Sequence, residues 1–387
     1  LTVSLAVAAA SLAVWLYLIA GRGDFWRASV REDAETHREP ESWPPVAAVV
    51  PARNEAEFIA ESLGSLLNLD YPGSFDVILV DDQSTDGSAA IAYALADANR
   101  HHRLTVLAGR PLPRGWTGKL WAMNQGADHA QNLPEPPHYL LFTDADIAFA
   151  KGALRRIVAR AEAGGLVLTS LMAKLRCESL AEQSLIPAFV FFFQMLYPFK
   201  WVNQPDREIA AAAGGCLLVR GEALRAAGGF TAIRGSLIDD CALARILKPI
   251  GPIWLGLTEH VHSLRPYPQV TDVGRMVSRS AYEQLHRSPL LLAGTVTGMA
   301  LTYVAPPVLA VAASGLAQAI GAATWILMAI AFQPILRLYR VSPLWGILLP
   351  VIAGAYMVFT LQSAYLYASG RGGHWKGRIQ ANVSEFE

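Results

Sequence analysis

Only three cysteines, Cys177, Cys216 and Cys241, occur in 387 residues, with neither a Cys-x-x-Cys pair nor His-interleaved zinc spacing. That argues against a disulfide framework or a zinc ribbon and fits reduced thiols facing a cytoplasm. Net charge is missing too, because 32 Lys+Arg balance 32 Asp+Glu. Without a broad basic surface, nucleic acid is not an expected partner. Charge is absent altogether from residues 1–20, an apolar run of the length a bilayer-spanning helix needs. A secretory signal would carry positive residues ahead of such a run. Here Arg22, Arg27 and Arg31 follow it, so a retained anchor with the next segment in the cytoplasm is expected.

The other long apolar runs, 290–313, 315–336 and 343–367, lie near the far end. The expected organisation is therefore an anchor at 1–20, a polar linker at 21–45 closing on Pro44-Pro45, a soluble domain at 46–288, membrane helices within 289–369 and a tail at 370–387. Four crossings would put Arg337 and Arg340 inside but Arg371, Lys376 and Arg378 outside, against the positive-inside tendency. Pro306-Pro307 offers a way out, a re-entrant first segment or a helical hairpin of irregular depth.

In the middle, apolar strand-like runs alternate with helical periodicity. Val46–Pro51 reads as a buried strand and leads into Ala52-Arg53-Asn54-Glu55 and then Phe58, Ile59, Leu63, Leu66 and Leu67 at helical spacing. Phe75–Val80 ends in Asp81-Asp82-Gln83-Ser84-Thr85-Asp86-Gly87; Leu104–Leu107 leads to Arg114-Gly115-Trp116-Thr117-Gly118-Lys119. Such alternation predicts an α/β fold with a parallel sheet and ligands at the carboxyl ends of its strands. An Asp at a strand end can accept from a nucleobase imide or a ribose hydroxyl, and a lysine after glycine can meet a phosphate. The plainer readings are helix N-caps for Asp81, Asp82 and Asp86 and a solvated Lys119.

Tyr139–Phe149 begins as a buried strand and ends in Thr143-Asp144-Ala145-Asp146. Two carboxylates one residue apart in a strand share a face and can converge on one cation, Mg²⁺ or Mn²⁺, with coordination positions left for substrate phosphates. An Asx turn is the alternative.

Taken together, Val49–Glu55, Val80–Gly87, Gly118-Lys119-Leu120-Trp121-Ala122-Met123-Asn124-Gln125-Gly126 and Thr143–Asp146 resemble the signature series of family 2 glycosyltransferases, in order and spacing over roughly residues 46–262. The resemblance implies a GT-A fold, a Rossmann-like nucleotide-diphospho-sugar transferase domain, and transfer with inversion at the anomeric carbon. Gly214-Gly215-Cys216-Leu217-Leu218-Val219-Arg220 and the membrane layout are similar to the hopene-associated members linked with bacterial hopanoid synthesis. By that resemblance Pro51, Arg53, Glu55 and Asp81 or Asp82 embrace the nucleoside, and Lys119 faces the diphosphate. Asp144 and Asp146 then handle ribose and metal, and Gly214-Gly215 lies beside the donor sugar. Ile238-Asp239-Asp240 stands where the family usually has Glu-Asp, which makes Asp240 the base and leaves Asp239 a departure from the pattern.

Other features keep two readings. Ser179–Trp201, rich in Phe, is either a core or a membrane-interface segment, and an interfacial helix is expected near 270–288. His260 and His262 either complete a metal shell with Asp146 or are structural. Of the Gln-x-x-Arg-Trp found in processive relatives only Arg279 can be aligned. Arg275 and Arg279, a helical turn apart, contact a phosphate or form a solvated face. The expectation is a multi-pass hexosyltransferase of the bacterial inner (plasma) membrane with its catalytic domain in the cytoplasm. It would move one sugar from a UDP-sugar to a hopanoid or polyprenyl lipid with a divalent cation. A processive polysaccharide synthase and a non-catalytic membrane scaffold are the alternatives.

Overall fold

The structure, a computed structural model, describes residues 3–98, 103–375 and 378–379. The expected tail beyond 379, and Lys376, lie outside the described residues. The chain divides into two compact units. One comprises the segment up to Ser29, Cys177–Lys200 and Pro266–His374, and the other is built mainly on Val30–Arg176 and Trp201–Arg265.

The second unit is a mixed eight-stranded sheet. Its strands are β1 (Val46–Ala52), β2 (Phe75–Asp81), β3 (Arg103–Ala108), β4 (Tyr139–Phe142), β5 (Ile147–Phe149), β6 (Leu168–Lys174), β7 (Leu217–Arg220) and β8 (Ile253–Ser263), in the order β3-β2-β1-β4-β7-β6-β8-β5. All seven residues of β1 are buried, as its unbroken apolar run requires of a strand covered on both faces. It runs parallel to β2 from Val46↔Phe75 to Ala52↔Asp81 and to β4 from Val46↔Tyr139 to Val49↔Phe142. The expected parallel pairing holds for β3-β2-β1-β4 and again between β6 and β8, but not throughout the sheet. β7 pairs antiparallel with both β4 and β6, and β5 antiparallel with β8. Helices Ile59–Leu67 and Ala153–Gly164 bury Ile59, Leu63, Leu66, Leu154, Ile157 and Val158 in the same core as Val50, Leu79 and Leu141. Helix Gly118–Gln131 lies so close to the sheet that a Cβ on Gly126 would stand 2.4 Å from a Val49 methyl.

The segment read as a linker is docked from Val30 onward. The Leu257 N–H donates to the Val30 carbonyl at 2.9 Å. Glu32, buried, accepts from Arg156 Nε at 3.0 Å and from the Thr258 hydroxyl.

Among the described residues the first unit holds four helices long and apolar enough to cross a membrane: Val3–Ala20, Pro289–Ala312, Gly315–Tyr339 and Leu349–Ala368. The aromatic segment forms helix Leu180–Leu196, capped by a reciprocal Ser179/Glu182 box and running through Pro187 without a break. Its Phe191 packs on Phe332 and its Phe192 on Tyr303 and Tyr356, so this face is core of the apolar unit. Pro306-Pro307 does not end its helix but is preceded by a widened turn at Ala300–Val304. Proline has no N–H, so the carbonyl four residues before Pro306, that of Thr302, loses its helical donor. The Trp15 indole N–H supplies one at 2.8 Å.

Candidate active site

β1, β2 and β4 run parallel and end at one edge, where their loops carry most of the acidic side chains. Past β1, Asn54 takes a left-handed conformation, φ 52°, that suits asparagine. Its N–H then donates to Ser84 Oγ at 2.9 Å and its Oδ1 accepts the Thr85 N–H at 2.8 Å. Glu55 N–H donates to Ser88 Oγ at 2.8 Å and Ala56 N–H to Asp86 Oδ2 at 2.9 Å. Asp86 also accepts the Ser88 N–H at 3.0 Å, which makes it the cap among the three acids of this loop. Arg53 crosses to the Asp82 carbonyl, with the buried Asp82 carboxylate 3.9 Å away. Asp81 turns one oxygen to the Ser84 N–H at 3.3 Å and leaves Oδ1 buried with no hydrogen-bond partner among the described residues. A buried acceptor of that kind suits an incoming donor. Pro51 is buried within β1, paired in register with Val80.

Lys119 stands in the first turn of helix Gly118–Gln131, an end whose dipole favours negative charge. Two carboxylates hold it there: Asp144 Oδ1 at 2.8 Å and Asp239 Oδ2 at 3.0 Å, the latter as a charge contact outside hydrogen-bond geometry. Asp240 Oδ2 accepts the Gly214 N–H at 2.9 Å and its Oδ1 the Cys241 N–H at 2.7 Å. A Cβ on Gly214 would stand 3.2 Å from Lys119 Nζ and 3.5 Å from Asp240 Oδ2. The Thr143 hydroxyl donates to the Gly215 carbonyl at 2.8 Å and ties the Gly-Gly turn to the end of β4. Thus Lys119, Asp144, Gly214, Asp239 and Asp240 form one cluster from four separate stretches of chain.

The electrostatics follow from burial and crowding. Burial, then the Asp239 charge, pushes Asp240 up to about 6, against the pull of Lys119 and two backbone N–H groups. Asp144 is raised by burial and by Asp146, in opposition to Lys119. Burial draws Lys119 down, but Asp144, Asp239 and Asp240 more than reverse this and keep it charged.

Of the two readings of Asp144-Ala145-Asp146 the turn holds and the shared strand face does not: both carboxylates lie between β4 and β5, and each faces its own cation. The cation at Asp146 is Arg265, whose Nε donates to Asp146 Oδ2 at 2.6 Å and whose Nη2 donates to Glu55 Oε2 at 2.6 Å. Arg265 was not read from the sequence as a site residue. His262, expected as a metal ligand, is exposed and paired with Ala148 in the β5–β8 ladder. His260 turns Nδ1 to Glu32 at 3.1 Å. Among the described residues, no three His, Cys, Asp or Glu side chains are grouped to hold a metal ion. Arg275 and Arg279 belong to the apolar unit, exposed on helix Val270–Ser278 and at its end, with Arg275 paired to Asp272.

Residues 47–228 match the family described as Glycosyl transferase family 2. A stretch of 118 residues, 30% of this chain, is 34% identical to the beta-monoglucosyldiacylglycerol synthase of Nostoc sp. strain PCC 7120 and spans 23% of that relative's length. Among solved structures, the mannosyltransferase of Pyrobaculum calidifontis in complex with GDP-Man and Mn²⁺ superposes with a TM-score of 0.58 at 20% identity, over 94% of this chain and 99% of that one. That likeness is one of fold.

Proposed function

We propose that this chain, in which residues 47–228 are a family 2 glycosyltransferase domain, is a membrane-bound inverting transferase of one sugar from a nucleotide-diphosphate sugar to a lipid hydroxyl. The observation that carries the reading is Asp240. It is a carboxylate with a pKa pushed up to about 6, fixed by the Gly214 N–H at 2.9 Å and set beside the Lys119 and Asp144 pair. A base near neutrality is ionised at pH 7 yet basic enough to take a proton in the transition state. The acceptor oxygen attacks C1 of the sugar, its proton passes to Asp240, and the bond from C1 to the diphosphate oxygen breaks. Lys119 opposes the charge that accumulates on the departing diphosphate. Gly214, lacking a side chain, leaves room beside that pair for the sugar.

The donor set fits a divalent cation. Lys119 is shared between Asp144 and Asp239, and Arg265 between Glu55 and Asp146, a concentration of carboxylates that a divalent ion would offset when a diphosphate enters. Asp146, with Asp144 beside it, would hold the ion, and the substrate's phosphates would complete the coordination that two carboxylates leave open. Mg²⁺ or Mn²⁺ bound there supplies Lewis-acid stabilisation to the leaving group.

The lipid acceptor is supported by the four apolar helices joined to the domain and by the diacylglycerol glycolipid in the Nostoc relative's name. A hopanoid or polyprenyl alcohol is the more specific form of the reading, with the domain on the cytoplasmic side of a bacterial inner membrane. Mass spectrometry of lipid extracts from cells with the intact gene and with Asp240→Asn tests it. The expected result is a lipid heavier by one hexose or N-acetylhexosamine in the first and absent from the second. Identical lipid profiles overturn it. Calorimetry with UDP and GDP, each with and without Mn²⁺, identifies the base and the metal linkage, and NMR of the product's anomeric proton reports inversion.

A further inference from the structure

Arg265 leaves the end of β8, where the Leu264 N–H donates to the Asp146 carbonyl at 2.8 Å and fixes the two chain segments side by side. From there its guanidinium forks onto Asp146 and Glu55, 2.6 Å from an oxygen of each, with one face 5.0 Å from the Phe58 ring. Its neighbours come from two stretches far from it in the chain, Asp146 from one and Glu55 with Phe58 from the other. The Asp146 and Glu55 side chains are only 15% and 10% exposed, so the guanidinium between them offsets part of the cost of holding two charges away from water.

We propose that Arg265 is the resident counter-ion of the metal-binding carboxylate, holding Asp146 until a divalent cation arrives together with a nucleoside diphosphate and giving up that oxygen to it. The inference rests on the donor-site reading above and adds a residue and a rule to it. A guanidinium and a divalent ion on one carboxylate repel each other, so the metal alone meets a site whose positive charge is already in place. A diphosphate brings negative charge that the guanidinium can turn to, because its fork matches phosphate as well as carboxylate. Metal and nucleotide therefore bind as a coupled pair, and Arg265 is the source of the coupling.

The test measures free Mn²⁺ by electron paramagnetic resonance against the full chain in detergent, with and without UDP or GDP. In the unaltered protein the nucleotide is expected to tighten Mn²⁺ binding by about tenfold or more. In Arg265→Gln, Mn²⁺ alone is expected to bind about tenfold tighter than in the unaltered protein, and the nucleotide's effect shrinks by the same factor. Arg265→Lys keeps the charge but reaches one carboxylate only, so it is expected to fall between the two and serves if the glutamine variant does not fold. Circular dichroism checks folding in each. If the unaltered protein shows nucleotide-coupled Mn²⁺ uptake and neither variant tightens Mn²⁺ alone, the role of Arg265 is overturned while the donor site stands. If the unaltered protein takes up neither nucleotide nor Mn²⁺, the donor site itself fails.

Discussion

The backbone N–H of Gly214 donates to Asp240 Oδ2 at 2.9 Å, so the proposed base is aimed by a turn that carries no side chain. Asp240→Asn keeps the shape and removes the basicity. Transfer of radiolabelled sugar is expected to fall by about 10²–10⁴-fold with the fold retained by circular dichroism.

The same carboxylate sets a pH dependence. Because its pKa lies at about 6, the base form is lost as pH falls through that value, and the acid limb of kcat/KM is expected there and not in the Asn variant. Stability moves the other way. A carboxyl raised from 3.8 to about 6 favours the fold in its protonated form, a contribution lost as pH rises through about 6. Asp240→Asn is thus expected to melt a few degrees above the unaltered protein at pH 7.5 and close to it at pH 4, by differential scanning fluorimetry.

Gly214→Ala places a methyl 3.2 Å from Lys119 Nζ. The lysine's flexible end can yield slightly, so the fold is expected to persist while turnover drops by about tenfold or more through misplacement of Lys119 and Asp240. Steady-state kinetics at saturating donor checks this.

Lys119→Met removes the shared partner of Asp144 and Asp239. The expected result is a loss of about 2–3 kcal/mol in stability, read by denaturant titration, with a fall of at least about tenfold in nucleoside diphosphate affinity by calorimetry.

Trp15→Phe preserves packing on Tyr303, 5.6 Å between ring centres, and deletes the donor to the Thr302 carbonyl. Stability in detergent is expected to fall by about 1–3 kcal/mol, with no change in nucleotide affinity.

What the sequence made legible follows from local pattern. Strands β1 and β4 are continuous apolar runs and β2 is one from Val77 to Val80, and each delivers polar residues where the run stops, so the acidic edge could be drawn before any coordinates. Arg265 could not. It carries no periodic signal, and its partners Asp146 and Glu55 lie 119 and 210 residues away. The antiparallel return of β7 and β5 was hidden for the same reason, since pairing partners of short strands are chosen by tertiary packing. Helix Leu180–Leu196 was ambiguous because a helix buried over much of its circumference has no polar stripe to display. Strand and turn compete at Asp144 and Asp146 because Ile147–Phe149 resumes extended pairing just after them.

The cross-bonds from Asn54, Glu55 and Ala56 to Ser84, Thr85, Ser88 and Asp86 weld the loops after β1 and β2 into a single part. Anyone wishing to change what that part recognises must transplant both loops as one cassette. A graft of either alone would sever the stitching and leave a floppy mouth where the native chain presents a rigid one.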